Sequence, residues 1–449
     1  MSRAVALIDG EHYPPVVKFA LSALSGEHEV LAAVFLGGTE KVDSEGPDVY
    51  GVPLVYGLTP DDALRAAIER FEPDVVVDLS DEPVLAATDR LRLASLALSL
   101  GVEYRGADFV FTPPRSRVIP CTPTLGVIGT GTRVGTPAIS ASVARELKAA
   151  GTDVVVLAMG RGGPSEPEII HGEQVRLTTP DLLELARQGK HASSDNYEDA
   201  VMSRVTTVGC RRCGGGLAGE TFFSNVPDGA RVADRLGKEL MILEGSGAAI
   251  PPVHADATIL VVAGGRGTGY VTDYFGPYRF SRADLAVISF AEEPVASEAE
   301  VDAIREAIAA LRPDLRVVAT TFRPHPIEPI SGRRVFFATT AMPSIAPRLA
   351  AHLESSFGCE VVAFTTQLSN RARLRDELAK HAGTFDTIVT ELKAAAIDVV
   401  AAEGEAIGVP TVLCDNVPVA VDGSNLGDEV RAAAATAAQR GAARRGSHR

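Results

Sequence analysis

The sequence predicts an α/β fold in which an N-terminal Rossmann-like domain precedes a parallel-sheet domain built around a phosphate loop. Three observations predict it. Strand and helix patterns alternate over residues 1–110, which implies parallel strands with helices on both faces. The apolar run Leu125 to Ile128 then leads into Gly129, Gly131 and Gly135 and on to a helical pattern from Ala138 to Ala149. Strand, glycine loop and helix is the arrangement that cradles phosphates: glycines let backbone approach the anion, and the first helical N–H groups point at it. Finally, short apolar runs separated by helical stretches recur from Val154 to Cys414.

In the first domain, the expected strands are Val5 to Ile8, Val30 to Leu36 and Asp74 to Leu79, and the expected helices Pro15 to Leu24, Thr59 to Phe71 and Asp89 to Leu100. Thr59 followed by Pro60 is a helix-opening signal, a hydroxyl cap followed by a proline whose missing N–H costs nothing there. The proline-rich segment 111–123 reads as a stiff, non-helical linker. Beyond the glycine loop the expected strands are Val154 to Ala158, Leu240 to Leu243, Thr258 to Ala263, Leu285 to Phe290 and Leu315 to Thr320. Val335 to Thr339, Val361 to Thr365, Thr387 to Thr390 and Thr411 to Cys414 complete the series. The implied division is 1–118, 119–345 and 346–430, with 346–430 either a third domain or an extension of the second sheet. A flexible basic tail is expected over 431–449.

Composition narrows the function. The chain has 449 residues, 46% hydrophobic and 22% charged, with a formal net charge of −15. An acidic protein repels a phosphate backbone, so a general nucleic-acid role is not expected. No apolar run approaches the ~20 residues of a membrane span, and the start of the chain lacks a signal-peptide layout. Five cysteines, an odd number in a long chain, do not make a disulfide framework. A soluble cytoplasmic protein is the expectation, with small anionic molecules able to bind at local Arg or Lys clusters.

The loop departs from the standard G-x-x-x-x-G-K-[ST]. Thr130 stands at the first glycine, Thr136 at the lysine and Pro137 at the Ser/Thr. Candidate phosphate ligands are therefore the backbone and hydroxyls of Gly129, Thr130, Gly131, Thr132, Gly135 and Thr136, with Arg133 as the candidate cation. Glu244, between an apolar strand and the turn Gly245 to Gly247, is expected beyond the carboxyl end of its strand. Ligands bind in that crevice of an open parallel sheet, so Glu244 is the candidate Mg²⁺ ligand, with Thr136 or Ser140 supplying a hydroxyl. Three arginine–glycine segments follow strands: Arg161, the pair Arg211–Arg212 before Gly214 to Gly216, and Arg266. Guanidinium groups bind phosphate bidentately, and three such turns suggest a ligand with more than one phosphate. Cys210 and Cys213 form a lone C-x-x-C with no second pair, which does not make a four-ligand zinc site. Asp9, Glu11 and His12 after one strand, and Asp78, Asp81 and Glu82 after another, read either as metal or base groups or as helix caps. Asp415 and Asn416 read either as base or ribose ligands or as an ordinary turn.

Taken in order, LIDGEHYPPV, VVDLSDEPVL, VIGTGTRVGTPAIS, MGRGGPSEPE, EGSGAAIPP, TELKAAAIDVV and CDNVP resemble the cyclic 2,3-diphosphoglycerate synthetase family over most of residues 1–420. That family is similar to the phosphate-loop NTPases of the dethiobiotin synthetase type. Its G-K-T corresponds to Gly135, Thr136 and Pro137 here, so the loop lysine and the Mg²⁺ hydroxyl are both replaced. The resemblance implies ATP and Mg²⁺, 2,3-diphosphoglycerate as substrate, closure of an intramolecular phosphoanhydride with release of ADP and phosphate, and a homodimer. Two other readings stay open: a catalytically weakened or regulatory nucleotide-binding homologue, and a ligase or kinase of another phosphorylated acid.

Overall fold

The computed structural model describes residues 1–38 and 47–447. It divides into two compact units, the first made of 1–114, 268–282 and 310–313, the second of the remainder. The boundaries expected from sequence are corrected accordingly. The first unit is not one continuous stretch, because the chain leaves the second sheet after Gly267 to add two short helices to it.

The first unit contains β1 (Ser2–Ile8), α1 (Pro14–Leu24), β2 (His28–Phe35), β3 (Leu54–Val55), α2 (Pro60–Phe71), β4 (Val75–Asp78), α3 (Ala87–Ser99), β5 (Glu103–Arg105) and β6 (Val110–Phe111). The sheet order is β3-β2-β1-β4-β5-β6, the order of a Rossmann sheet, parallel except for the β5–β6 pair. Thr59 caps α2 as its sequence predicts, accepting from the Asp62 N–H. The two carboxylate clusters past β1 and β4 hold their own loops. Buried Asp9 accepts from the Glu11, His12 and Asp81 N–H groups and contacts His12 Nδ1 at 2.8 Å. Asp78 accepts from Ser80 and the Tyr104 hydroxyl and pairs with Arg90 at 2.9 Å.

In the second unit the chain runs β7 (Thr124–Gly129), α4 (Thr136–Ala149), β8 (Val154–Gly160), β9 (Glu168–His171), α5 (Thr179–Arg187), α6 (Asp195–Ser203), β10 (Thr206–Cys213), β11 (Phe223–Ser224), α7 (Val226–Asp234), β12 (Leu240–Glu244) and β13 (Ala257–Ala263). After α8 (Gly269–Thr272) and α9 (Gly276–Ser281) of the first unit come β14 (Leu285–Ser289), α10 (Glu298–Leu311), β15 (Arg316–Pro326), β16 (Arg334–Ala338), α11 (Ala346–Phe357), β17 (Glu360–Thr365), α12 (Arg371–Lys380), β18 (Thr387–Glu391), α13 (Ala402–Ala406), β19 (Thr411–Ala420) and α14 (Leu426–Ser447). The strands form one sheet, ordered β11-β10-β8-β12-β7-β13-β14-β15-β19-β18-β16-β17, with β9 beside β10. The C-terminal strands therefore extend the second sheet. β15 is the joint: its first half runs parallel to β14 and its second half antiparallel to β19.

β7 lies between β12 and β13, and every one of its residues is buried. A strand covered on both faces reads as a continuous apolar run, which is why it was visible in sequence. The flexible tail expected over 431–449 is a correction. Through Ser447 it belongs to α14, whose Val430, Ala433, Ala434 and Ala437 join the core with Ile139, Val143 and Leu147 of α4. These positions follow the helical i, i+3, i+4, i+7 spacing, and alanine lets the helix approach closely. Arg444 donates to both carboxylate oxygens of buried Asp256, at 3.1 and 2.9 Å, and to Pro120 O at 2.7 Å. Residues 448 and 449 lie outside the described residues.

Candidate active site

The glycine loop sits where β7 ends. Thr130 N donates back to Val261 O at 2.9 Å, which anchors its first turn to β13. Arg133 has φ +58° and Gly135 φ +89°. At Gly135 the left-handed conformation and the space both demand glycine, since a Cβ would lie 2.4 Å from Phe322 Cζ. α4 then begins at Thr136 with Pro137 in its first turn, where the missing N–H leaves nothing unpaired. A Cβ at Gly129 would lie 2.9 Å from Thr136 Oγ1 and 2.8 Å from Gly247 O, so the loop, the helix start and the turn after β12 meet there. Ser289 Oγ donates to Val134 O at 2.7 Å, and Arg266 Nη2 to Thr132 O at 2.6 Å. Both fix the loop, so Arg266 braces the site by its backbone. Arg133 is exposed and makes no hydrogen bond or ion pair with any described residue. Thr130 Oγ1 and Ser140 Oγ are buried without a hydrogen-bond partner among the described residues.

Glu244 ends β12, with its backbone in register with Val127 of β7 and Ala158 of β8. It is 0% exposed, and neither carboxylate oxygen has a partner among the described residues. Burial pushes its carboxyl well above the usual range, and the charges of Asp199, Asp195 and Glu198 push it further. Those three residues, all on α6, are functional candidates that the sequence reading missed. α6 packs on β8, β10 and α4. Its Asn196, Glu198 and Asp199 are buried. Lys393, in the turn after β18, pairs with Glu198 at 3.3 Å. Burial opposes its charge, but Glu198, Glu391 and Asp415 overcome that and raise its pKa above the ordinary lysine range. Glu198 itself is pushed up to about 7, by burial first and against the pull of Lys393.

The arginines separate. Arg211 and Arg212 do not form a turn with Gly214 to Gly216: both lie on β10, whose neighbouring side chains face opposite ways. Arg211 Nε donates to Pro164 O at 2.7 Å, which directs it at the loop after β8. Arg212 donates to Ser246 O at 2.8 Å, in the turn after Glu244, and to Gly214 O at 3.1 Å. Its pKa is lowered by burial and then by the charge of Arg161, while Asp195 opposes this. Arg161 follows β8 and Arg212 lies near the end of its parallel neighbour β10, so two guanidinium groups stand at the carboxyl ends of adjacent strands, an arrangement that suits an anion. The same alternation puts Cys210 and Cys213 on opposite faces, one buried and one exposed, so they are not a redox pair.

Of the two readings of Asp415 and Asn416, the structure overturns the turn. β19 runs on through them to Ala420, so they are not a turn. Asp415 is buried and pairs with Arg145 of α4 at 2.5 Å, and its Oδ1 accepts the Asn416 N–H at 2.8 Å. Asn416 stands opposite Pro324 of β15.

Among the described residues no group of three or more His, Cys, Asp or Glu is arranged to hold a metal. Mg²⁺ does not need one, because it commonly takes one or two carboxylates and completes its shell with waters and phosphate oxygens. The orphaned Glu244 oxygens and the buried hydroxyls of Thr136, Thr130 and Ser140 fit that donor set. No helix among the described residues is long and apolar enough to cross a membrane.

Models of the three domains of cyclic 2,3-diphosphoglycerate synthetase match this chain: the N-terminal domain over residues 3–112, the P-loop domain over 124–321 and the C-terminal domain over 326–417. Among similar proteins, the cyclic 2,3-diphosphoglycerate synthetase of Rubrobacter xylanophilus is 48% identical, over 94% of this chain and 96% of its own. That of Thermococcus kodakarensis is 47% identical over 94% and 96%, and that of Methanothermus fervidus 43% identical over 95% and 96%. The chain belongs to the cyclic 2,3-diphosphoglycerate synthetase family.

Proposed function

We propose that this chain closes 2,3-diphosphoglycerate into its cyclic phosphoanhydride at the expense of ATP. The observation that carries the reading is Arg212, which donates to Ser246 O in the turn that joins the orphaned, buried Glu244 carboxylate to the phosphate-type loop at Thr132. The loop backbone from Gly129 to Gly135, with the start of α4, binds the ATP phosphates. Arg133 supplies the cation that Thr136 does not, and Arg161 and Arg212 hold a phosphate of the substrate. Glu244 and a loop hydroxyl would hold Mg²⁺, which supplies charge compensation for phosphate oxygens. Catalysis of this kind is positioning plus electrostatics. The arginines place one substrate phosphate against the other and against the γ-phosphoryl group, and the buried walls keep water from competing. We take the active assembly to be a homodimer, as the resemblance implies.

The stoichiometry gives a test. Forming an anhydride removes one oxygen from a substrate phosphate, and that oxygen must leave in the inorganic phosphate that ATP yields. With substrate labelled by ¹⁸O in its phosphates, each phosphate released carries one labelled oxygen. Unlabelled phosphate would mean simple ATP hydrolysis. Thr136 and Pro137 at the lysine and hydroxyl positions favour a second reading, a regulatory nucleotide-binding homologue, which predicts ATP binding with no phosphate released.

A further inference from the structure

Arg161 stands on a loop that is fixed behind it. The loop leaves β8 after Gly160. A Cβ at Gly162 would lie 2.9 Å from His191 Nδ1, and one at Gly163 only 1.9 Å from Cys210 O of β10. The second neighbour is backbone, so only glycine lets the loop lie this close to the strand. Pro164 O then accepts from Arg211 Nε at 2.7 Å and from Asn225 Nδ2 at 3.2 Å, and Ser165 O accepts from Asn225 Nδ2 at 2.9 Å. Asn225 Oδ1 in turn accepts the backbone N–H of Arg211 at 2.7 Å. The Arg161 side chain is the contrast: it is exposed and makes no hydrogen bond or ion pair with any described residue.

Asn225 is the residue that joins these parts. It stands at the N-cap of α7, where an asparagine oxygen ordinarily accepts from the first helical N–H groups. Here the side chain caps nothing, and its amide is turned to the loop instead. Losing the Arg211 side chain would leave Pro164 O bonded to Asn225. Losing the Asn225 amide frees Ser165 O, the Arg211 N–H and one bond of Pro164 O together. A guanidinium whose backbone is set beforehand binds an anion without the cost of ordering the loop. We infer that Asn225 is a positioning residue, which clamps residues 161–165 to β10 so that Arg161 is presented to a phosphate of the substrate. The inference rests on the reading of Arg161 as a substrate ligand and names what holds it in place.

The test is Asn225→Asp in the full chain, alone and with Arg161→Ala. Aspartate keeps the oxygen that faces the Arg211 N–H and remains a good cap for α7, but it sets an oxygen against the Pro164 and Ser165 carbonyls. Thermal unfolding checks the fold, and Asn225→Ala, without that repulsion, carries the same expectations if the aspartate variant is unstable. Hydrogen exchange at residues 161–165 should quicken. The KM for 2,3-diphosphoglycerate should rise at least ~10-fold with that for ATP unchanged. In an Arg161→Ala background the same change should add less than ~2-fold, because two residues acting through one contact are not additive. Exchange as slow as in wild type, or an effect on KM of full size without Arg161, overturns the inference. Quickened exchange in a chain that neither binds nor converts 2,3-diphosphoglycerate sustains the clamp and sinks the proposed substrate. Conversion of that substrate with unchanged exchange and KM in Asn225→Asp does the opposite.

Discussion

Gly135→Ala strikes the point where the loop turns into α4. Two costs follow from the geometry. Gly135 holds φ +89°, and a residue with a Cβ in the left-handed region costs roughly 1–2 kcal/mol. The new Cβ would also lie 2.4 Å from Phe322 Cζ and 2.7 Å from Cε2. Phe322 is 8% exposed and packs edge-on against Phe290, with ring centroids 4.9 Å apart, so it has little room to retreat. Overpacking of this kind costs about 1–3 kcal/mol. We therefore expect a loss of roughly 2–5 kcal/mol in denaturant unfolding, together with weaker ATP binding as the loop shifts. Adding Phe322→Leu removes the clash and leaves the backbone strain, so the double variant should regain part of the loss. A Gly135→Ala protein as stable as wild type, with unchanged ATP affinity, would refute the described loop.

Other expectations follow from the same geometry. Arg212→Ala should raise the KM for the phosphorylated substrate, by ~2–5 kcal/mol in binding if the phosphate is fully desolvated, while Arg211→Ala, directed at Pro164 O, should leave it near wild type; equal effects in steady-state kinetics would contradict the assignment. The paired change Thr136→Lys with Pro137→Thr restores the standard loop and should raise turnover if Arg133 compensates only in part; no gain, combined with a fully active Arg133→Ala, would mean the phosphates bind elsewhere. Arg444→Ala breaks a buried ion pair and should destabilise the fold by ~3–5 kcal/mol, read by calorimetry. The partner Asp256 is buried, but His254, Arg444 and Thr124 hold its carboxyl far below the usual range. A depressed folded pKa stabilises above the unfolded value, near 4, and that stability is lost as pH falls below it. The Arg444→Ala penalty should therefore shrink in acid, and a penalty independent of pH would count against the pair.

What the sequence revealed was local. β7, the glycine loop and Glu244 lie within single runs of chain whose burial and turn chemistry show in their own residues. The α6 carboxylates were hidden because acidic residues at a helix start are ordinary dipole partners. Only the fold sets them against Glu244 and Lys393, which are distant in sequence. Arg211 and Arg212 looked like a turn because Gly214 to Gly216 follow them, but the strand from Thr206 reaches Cys213 first. Pro418 concealed the length of β19, which pairs antiparallel with β15 at that point. In α14, alanines that suggest a weak tail are what allow close packing on α4. The return of residues 268–282 to the first unit has no local signal at all.

The central claim is that this loop, lacking its lysine, still drives anhydride formation. Phosphorus NMR of the full chain with ATP, Mg²⁺ and 2,3-diphosphoglycerate tests it most directly. The account predicts loss of both phosphomonoester resonances, growth of anhydride resonances from the cyclic product, and ADP and phosphate appearing in equal amounts with it. ATP left intact, or consumed with both phosphomonoester signals unchanged, would contradict it.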